Sequence, residues 1–188
     1  MLYLTTLRTI LLRATTMFLF LTAFLVVSVN AQSVCLASGQ SKTFNYTSSF
    51  GAAGSAKVIF TLNNNVLNVQ YQNTSTSNTY LSGVGFNADP RMSPENLASA
   101  TATGGWTAVA GPGGGLGNYD LIAYGNGKNR LSANKWGTAV FILTSSPAQF
   151  CFGANVVHLT SLPNGSSEKP TGVPVEDPPQ GDPQIAIF

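Results

Sequence analysis

The sequence predicts an all-β fold, a single β-sandwich with jelly-roll or Greek-key connections, on three observations. Short runs of apolar, β-branched and aromatic residues recur at close spacing. Some of them alternate apolar with polar side chains at period two, the periodicity of a half-buried strand. Clusters of Gly, Asn and Ser separate them and supply the turns. Many short strands with such turns make sandwiches or jelly rolls.

The first segment stands apart from this pattern. Arg8 and Arg13 give a positive start without acidic residues, and Met17–Val29 (MFLFLTAFLVVSV) is apolar throughout. Val29-Asn30-Ala31 then places small or modest side chains where a signal peptidase reads. Residues 1–31 therefore read as a signal peptide, the apolar run being shorter than the ~20 residues that span a bilayer. An uncleaved anchor beginning at Thr9 is the other reading. Lipidation at Cys35 fits poorly, because Val34 stands where a small residue is wanted.

Export changes the charge balance. Of the nine basic residues, Arg8 and Arg13 fall in the signal, leaving seven against seven acidic ones, so the exported part is neutral. A neutral, sparsely charged chain does not suit nucleic acid, whose phosphates are met by clustered Lys and Arg. Both cysteines, Cys35 and Cys151, lie in the exported part. Two thiols in an oxidising compartment most simply pair with each other, which would close a loop of over a hundred residues and staple the first strand to a late one. Two unrelated buried thiols are the alternative.

The strands are read in order. One or two fall between Val34 and Phe50. Ala56–Leu62 (AKVIFTL) leads through Asn63-Asn64-Asn65 into Val66–Gln72, where Leu67, Val69 and Tyr71 alternate with Asn68, Gln70 and Gln72, a hairpin pattern. Tyr80–Asn87 is expected to put Tyr80, Val84 and Phe86 on one face and Gly83 and Gly85 on the other. Met92–Ala102 suits a helical turn, Ser93-Pro94-Glu95 resembling an N-cap followed by proline at the first helical position. Further strands are expected at Trp106–Ala110, Tyr119–Tyr124, Thr138–Thr144, Gln149–Phe152 and Asn155–Leu162. The sandwich domain is thus assigned to residues 32–172. Gly104–Gly127 holds nine glycines and reads as a mobile loop. Pro163–Phe188 carries six of the ten prolines and reads as an extended, poorly packed tail, with residues 173–188 set outside the domain.

Catalytic constellations are sparse. His158 is the single histidine, in a strand pattern that puts it on the face of Val156 and Thr160, and no serine stands in a Gly-x-Ser-x-Gly elbow. A glycosidase needs two opposed carboxyl groups, and outside the tail only Asp89, Glu95 and Asp120 are present. Asp89 precedes Pro90 like a turn residue, and Glu95 suits a first helical turn. Neither calcium spacing nor a zinc ligand set is evident. The glycine loop lacks the Gly-Lys-Ser/Thr ending of a phosphate loop, and Leu116 breaks the dinucleotide fingerprint. No catalytic residue, metal or cofactor is assigned. Trp106, Tyr119, Tyr124 and Trp136 surround the glycine loop and are candidates for stacking on sugar rings, against the reading that they fill the core. Gln184, Ile185, Ala186, Ile187 and Phe188 form an apolar end that suits strand addition to an open sheet edge of another copy.

Two stretches resemble a loosely defined group of bacterial secreted proteins, many with a PEP-CTERM sorting tail. They are Ala56–Asn87 (AKVIFTLNNNVLNVQYQNTSTSNTYLSGVGFN) and Phe150–Gly172 (FCFGANVVHLTSLPNGSSEKPTG). The shared patterns are Leu-x-Val-x-Tyr-x-Asn-Thr-Ser, Ser-Gly-Val-Gly-Phe and Val-His-Leu-x-Ser-Leu before a glycine. The resemblance implies a secreted β-sandwich at the cell surface or in exopolysaccharide, and it brings no catalytic residues. After Gly172 this chain has no Pro-Glu-Pro, transmembrane stretch or basic terminus, so sorting by that route is not implied. The expectation is a non-catalytic secreted or cell-surface structural or matrix-associated protein, with a carbohydrate-binding module second and a hydrolase third. Its possible partners are polysaccharide or further copies of itself, with no nucleic acid and no membrane span after signal cleavage. Asn45-Tyr46-Thr47, Asn73-Thr74-Ser75 and Asn164-Gly165-Ser166 would accept glycans only in a eukaryote.

Overall fold

The computed structural model describes residues 34–176, all within the unit Ser33–Phe188. The expected signal segment 1–31 and the expected strand-donating end Gln184–Phe188 lie outside the described residues. Antiparallel strands account for most of the rest, arranged as two facing sheets. In chain order they are β1 (Val34–Ala37), β2 (Ser41–Ser48), β3 (Gly51–Asn63), β4 (Val66–Asn73), β5 (Tyr80–Ala88) and β6 (Leu97–Ala102). They continue with β7 (Thr107–Ala110), β8 (Leu121–Tyr124), β9 (Trp136–Leu143), β10 (Gln149–Thr160), β11 (Ser167–Glu168) and β12 (Val173–Pro174). The first sheet runs β1-β10-β5-β8-β7, with β11 also on β10, and the second runs β12-β2-β3-β4-β9-β6. The chain switches sheets after β1, β4, β5, β6, β8, β9 and β11, so most neighbours in a sheet are distant in sequence.

Alternation builds the core. Phe44, Phe60, Phe86, Phe141, Phe150 and Phe152 come from both sheets and pack together, several ring pairs meeting edge to face. Edge-to-face contacts are what the quadrupoles of such rings favour. In the second sheet β2, β3, β4 and β9 bury one side of each strand and leave the other to solvent. In the first sheet β5 is buried on both sides. Its outer face is covered by the segment expected to be mobile.

That glycine-rich segment is a packed cap. Leu116 is buried with Ile122 and Val156, and Val109, Tyr119 and Tyr124 close around them. Gly83 and Gly85 give the cap room: a Cβ on Gly83 would stand 2.9 Å from Leu116 Cδ1, and one on Gly85 3.1 Å from the Tyr119 ring. Glycine here answers to close approach rather than to mobility.

The structure corrects three other expectations. The helical turn is limited to a 3₁₀ turn at Pro94–Asn96, and Leu97–Ala102 is a strand paired with β9. The two strands expected at Gln149–Phe152 and Asn155–Leu162 are one strand, β10, whose register with β5 shifts between Phe152 and Asn155. A second shift leaves Ser82 as an extra residue in β5, so Leu81 joins Val84 and Phe86 in the core. Tyr80 is thereby turned out of that face and meets Arg130, whose guanidinium lies 4.7 Å from the ring centroid.

Residues 163–176, read from the sequence as poorly packed, follow the sandwich closely. Ser167–Glu168 pairs with β10, Val157 N donates to Pro170 O, and Val173–Pro174 pairs with Asn45 and Phe44 of β2. This strap runs from one sheet to the other and covers that side of the sandwich, with Ser49 donating from both N and Oγ to Glu168. Cys35 and Cys151 stand opposite each other in the β1/β10 register and form a disulfide.

Candidate functional site

Two of the ionisable side chains, Asp120 and Glu168, are held by structural contacts. Asp120 is buried at the start of β8, where its carboxylate accepts from Ala88 N and Met92 N, each at 3.0 Å. The Arg91 guanidinium donates to its other oxygen at 2.6 Å, and Asn87 Oδ1 accepts from Asp120 N. The carboxylate thus ties β5, the Arg91–Met92 turn and β8 together through three accepted hydrogen bonds. Asp89 and Glu95 are exposed. Glu168 anchors the strap, and hydrogen bonds from Ser49 hold its carboxyl below the usual range.

His158 lies on the outer face of the first sheet beneath the glycine cap. A Cβ on Gly115 would be in ordinary contact with the imidazole, 3.7 Å from His158 Cε1. Burial and then the Lys169 charge push its pKa below 6.5, while the Gly114 backbone partly offsets them. Its Nδ1 is buried without a hydrogen-bond partner among the described residues. Ser82 Oγ donates to the His158 carbonyl and not to the imidazole. A nucleophile–base pair does not arise from this geometry.

The four aromatic candidates separate into two groups. Trp106 is in the core: its indole stacks on Tyr71 at 4.4 Å between centroids and its Nε1 donates to Asn129 O at 2.6 Å. Tyr119 and Tyr124 pack under and around the glycine cap. Trp106 is buried, while Tyr119 and Tyr124 are half-buried and pack against the small cluster under the cap. Trp136 differs, being 47% exposed, with Lys57 Nζ 5.3 Å from the centre of its ring.

Trp136 opens β9 on the outer face of the second sheet. Pairing sets a row across the strands, in which Val173 faces Asn45, Asn45 faces Lys57, Lys57 faces Gln72, and Gln72 faces Trp136. The next row along holds Thr43, Ile59, Gln70 and Thr138, and the one after it Thr61, Asn68 and Val140. Lys57 is the single charged side chain in these rows. The side chains of Asn45, Asn68, Gln70 and Gln72 make no hydrogen bond among the described residues. Asn64, Asn65, Asn73, Asn87, Asn96, Asn129, Asn155 and Asn164 do, whereas Asn63, Asn78, Asn118, Asn126, Asn134 and Gln149 also leave their amides without a protein partner among the described residues. The three large hydrophobic residues that are exposed among those described, Trp136, Val173 and Val175, all border this face. The sequence reading took the Asn68, Gln70, Gln72 alternation as a strand signal only. The same alternation places the three amides of β4 on the outer face, beside Ile59, Val140 and Trp136.

Among the described residues no group of three or more His, Cys, Asp or Glu side chains is placed to hold a metal ion, and no helix is long and apolar enough to cross a membrane. Comparison with family models, with curated proteins and with solved structures finds no match to this chain.

Proposed function

We propose that this chain is a non-catalytic, exported protein of the cell surface or extracellular matrix, which works by presenting the outer face of its second sheet. The observation that carries this reading is the location of the exposed apolar side chains. Trp136 at one end of this face and Val173 and Val175 at the other, about 19 Å away over four strand spacings, are the large hydrophobics exposed among the described residues, and they bound the polar rows between them. The hydrogen bonds that hold Asp120 and Glu168 in structural roles support a domain organised for presentation. The arginine-flanked apolar run of residues 1–31 and the paired cysteines support export. The resemblance of Ala56–Asn87 and Phe150–Gly172 to PEP-CTERM-type secreted proteins supports the location. Self-association through Gln184–Phe188 belongs to the same reading, and β6 and β7 supply sheet edges with a neighbour on one side only.

Fractionation of producing cells with an antibody to the mature part, together with turnover assays on ester, peptide and polysaccharide substrates, tests the proposal. The expected result is surface or medium localisation without turnover. Cytoplasmic retention would overturn it. So would an activity abolished by Asp120→Asn or His158→Ala while the melting temperature is unchanged.

A further inference from the structure

The amides of β4 point to an occupant for the presented face. Asn68, Gln70 and Gln72 alternate outward along one strand and form a strip about 14 Å long, from the rise of an antiparallel strand. Asn45 and Trp136 extend the Gln72 row to either side, a width of about 14 Å over three strand spacings. The four amides each offer both donors and acceptors, and they bind nothing among the described residues. Such groups suit a ligand whose own groups donate and accept, as hydroxyls do. Charge narrows the choice, since a face with one lysine and no carboxylate in its rows complements neither a polyanion nor a basic peptide. The indole adds an apolar plane. Lys57 Nζ lies over one side of that plane at 5.3 Å, and the ring is 47% exposed. A sugar ring stacked on the indole takes the other side or displaces the ammonium, with its hydroxyls beside Lys57 and Gln72.

From this juxtaposition we infer that the face formed by Asn45, Lys57, Asn68, Gln70, Gln72 and Trp136 binds a neutral polysaccharide chain. This inference rests on the presentation reading above and names its partner. It moves the carbohydrate site away from Trp106, Tyr119 and Tyr124, which the fold has committed to packing.

Affinity electrophoresis of the full chain through gels containing mixed-linkage β-glucan, mannan, dextran or alginate, with pull-down on microcrystalline cellulose, tests it. Retention by at least one of the neutral polymers is expected. Trp136→Ala is expected to weaken that retention at least about tenfold, as for a truncated aromatic anchor, and Gln70→Ala/Gln72→Ala to weaken it further than either single change. Because the chain has two tryptophans and Trp106 is buried, the fluorescence change on binding should vanish in Trp136→Phe. Circular dichroism and melting of each variant check that the fold persists. The inference is overturned by no retention on any neutral polymer, by retention on alginate alone, or by retention that Trp136→Ala leaves intact. It is equally overturned if light scattering shows a dimer that Trp136→Ala dissociates, which would assign the face to a second copy. None of these results bears on localisation or turnover, so a failure here is separable from a failure of the presentation reading.

Discussion

At Asp120 a single carboxylate accepts three hydrogen bonds while almost wholly removed from solvent, which makes it the most constrained ionisable group of the fold. Asp120→Asn replaces one acceptor oxygen by an amide that donates, so a buried N–H or the Arg91 guanidinium loses its partner. The expected loss is about 2–4 kcal/mol, read from chemical denaturation. A loss below about 0.5 kcal/mol would mean that the network adds nothing to stability. His158 behaves differently because its charged form is the disfavoured one. Its folded pKa lies below 6.5, so on acidification the unfolded chain takes up a proton first and stability falls. Melting temperature should therefore decline as pH drops through 6.5, and His158→Gln should make the decline shallower. An equal slope in both proteins would show that the imidazole is not the group responsible. Glu168 acts in a lower window: its folded pKa is depressed by Ser49, so its contribution is present above 4.5 and is lost as pH falls further.

At the level of elements, the glycine cap is the part whose chemistry is least visible in composition. Gly114 has φ +55°, and a Cβ on it would collide with Tyr124, whereas Gly117, at φ +107°, has nothing within 4 Å. Gly114→Ala is accordingly expected to cost about 1–3 kcal/mol and to open residues 111–120 to limited proteolysis. Gly117→Ala, strained in backbone alone, should cost less and leave the segment protected. Equal protease sensitivity of both variants and the parent would show that the cap is not packed in solution. Strands were legible where residues alternate, as in Val66–Asn73, because period two fixes both the strand and its faces. Leu97–Ala102 (LASATA) was not, since its period-two alternation of Ala with Ser and Thr has weak contrast and follows the helix-start pattern Ser93-Pro94-Glu95. The β5 faces were misread at Tyr80 because an extra residue reverses parity without leaving a mark in composition. The site was half legible for a related reason. Both tryptophans looked alike in sequence, and β9 carries apolar residues on either side, so parity did not show that Trp136 faces out while Trp106 faces in.

For the molecule as a whole, the two lateral sides of the sandwich are treated differently. On one, the strap through Ser167–Glu168 and Val173–Pro174 adds hydrogen bonds to both sheets, and the Cys35–Cys151 disulfide holds β1 to β10. With a sequence separation of 116, the chain-entropy model assigns that bridge about 4–5 kcal/mol. Reduction should lower the melting temperature markedly, and intact-mass analysis with alkylation should find no free thiol until reductant is added; two free thiols in native protein would contradict the pairing. On the other side, β6 and β7 each have a neighbour on one side only, and both are short, uncharged and free of proline. An edge protected by its shortness and by neither charge nor proline can take a further strand through main-chain hydrogen bonds. Gln184–Phe188 has the β-branched, apolar character of a donor, and the proline-rich stretch between Glu176 and Gln184 reaches about 25 Å when extended. If those five residues pair with an edge of another copy, removing residues 184–188 should lower the assembly mass measured by light scattering, and full-length protein should gain mass with concentration. Charged substitution on the acceptor at an exposed position, Thr101→Lys in β6, should have the same effect while leaving the monomer folded. A truncated chain with the mass and stability of the full-length protein at every concentration would leave the edges to be guarded by their shortness alone.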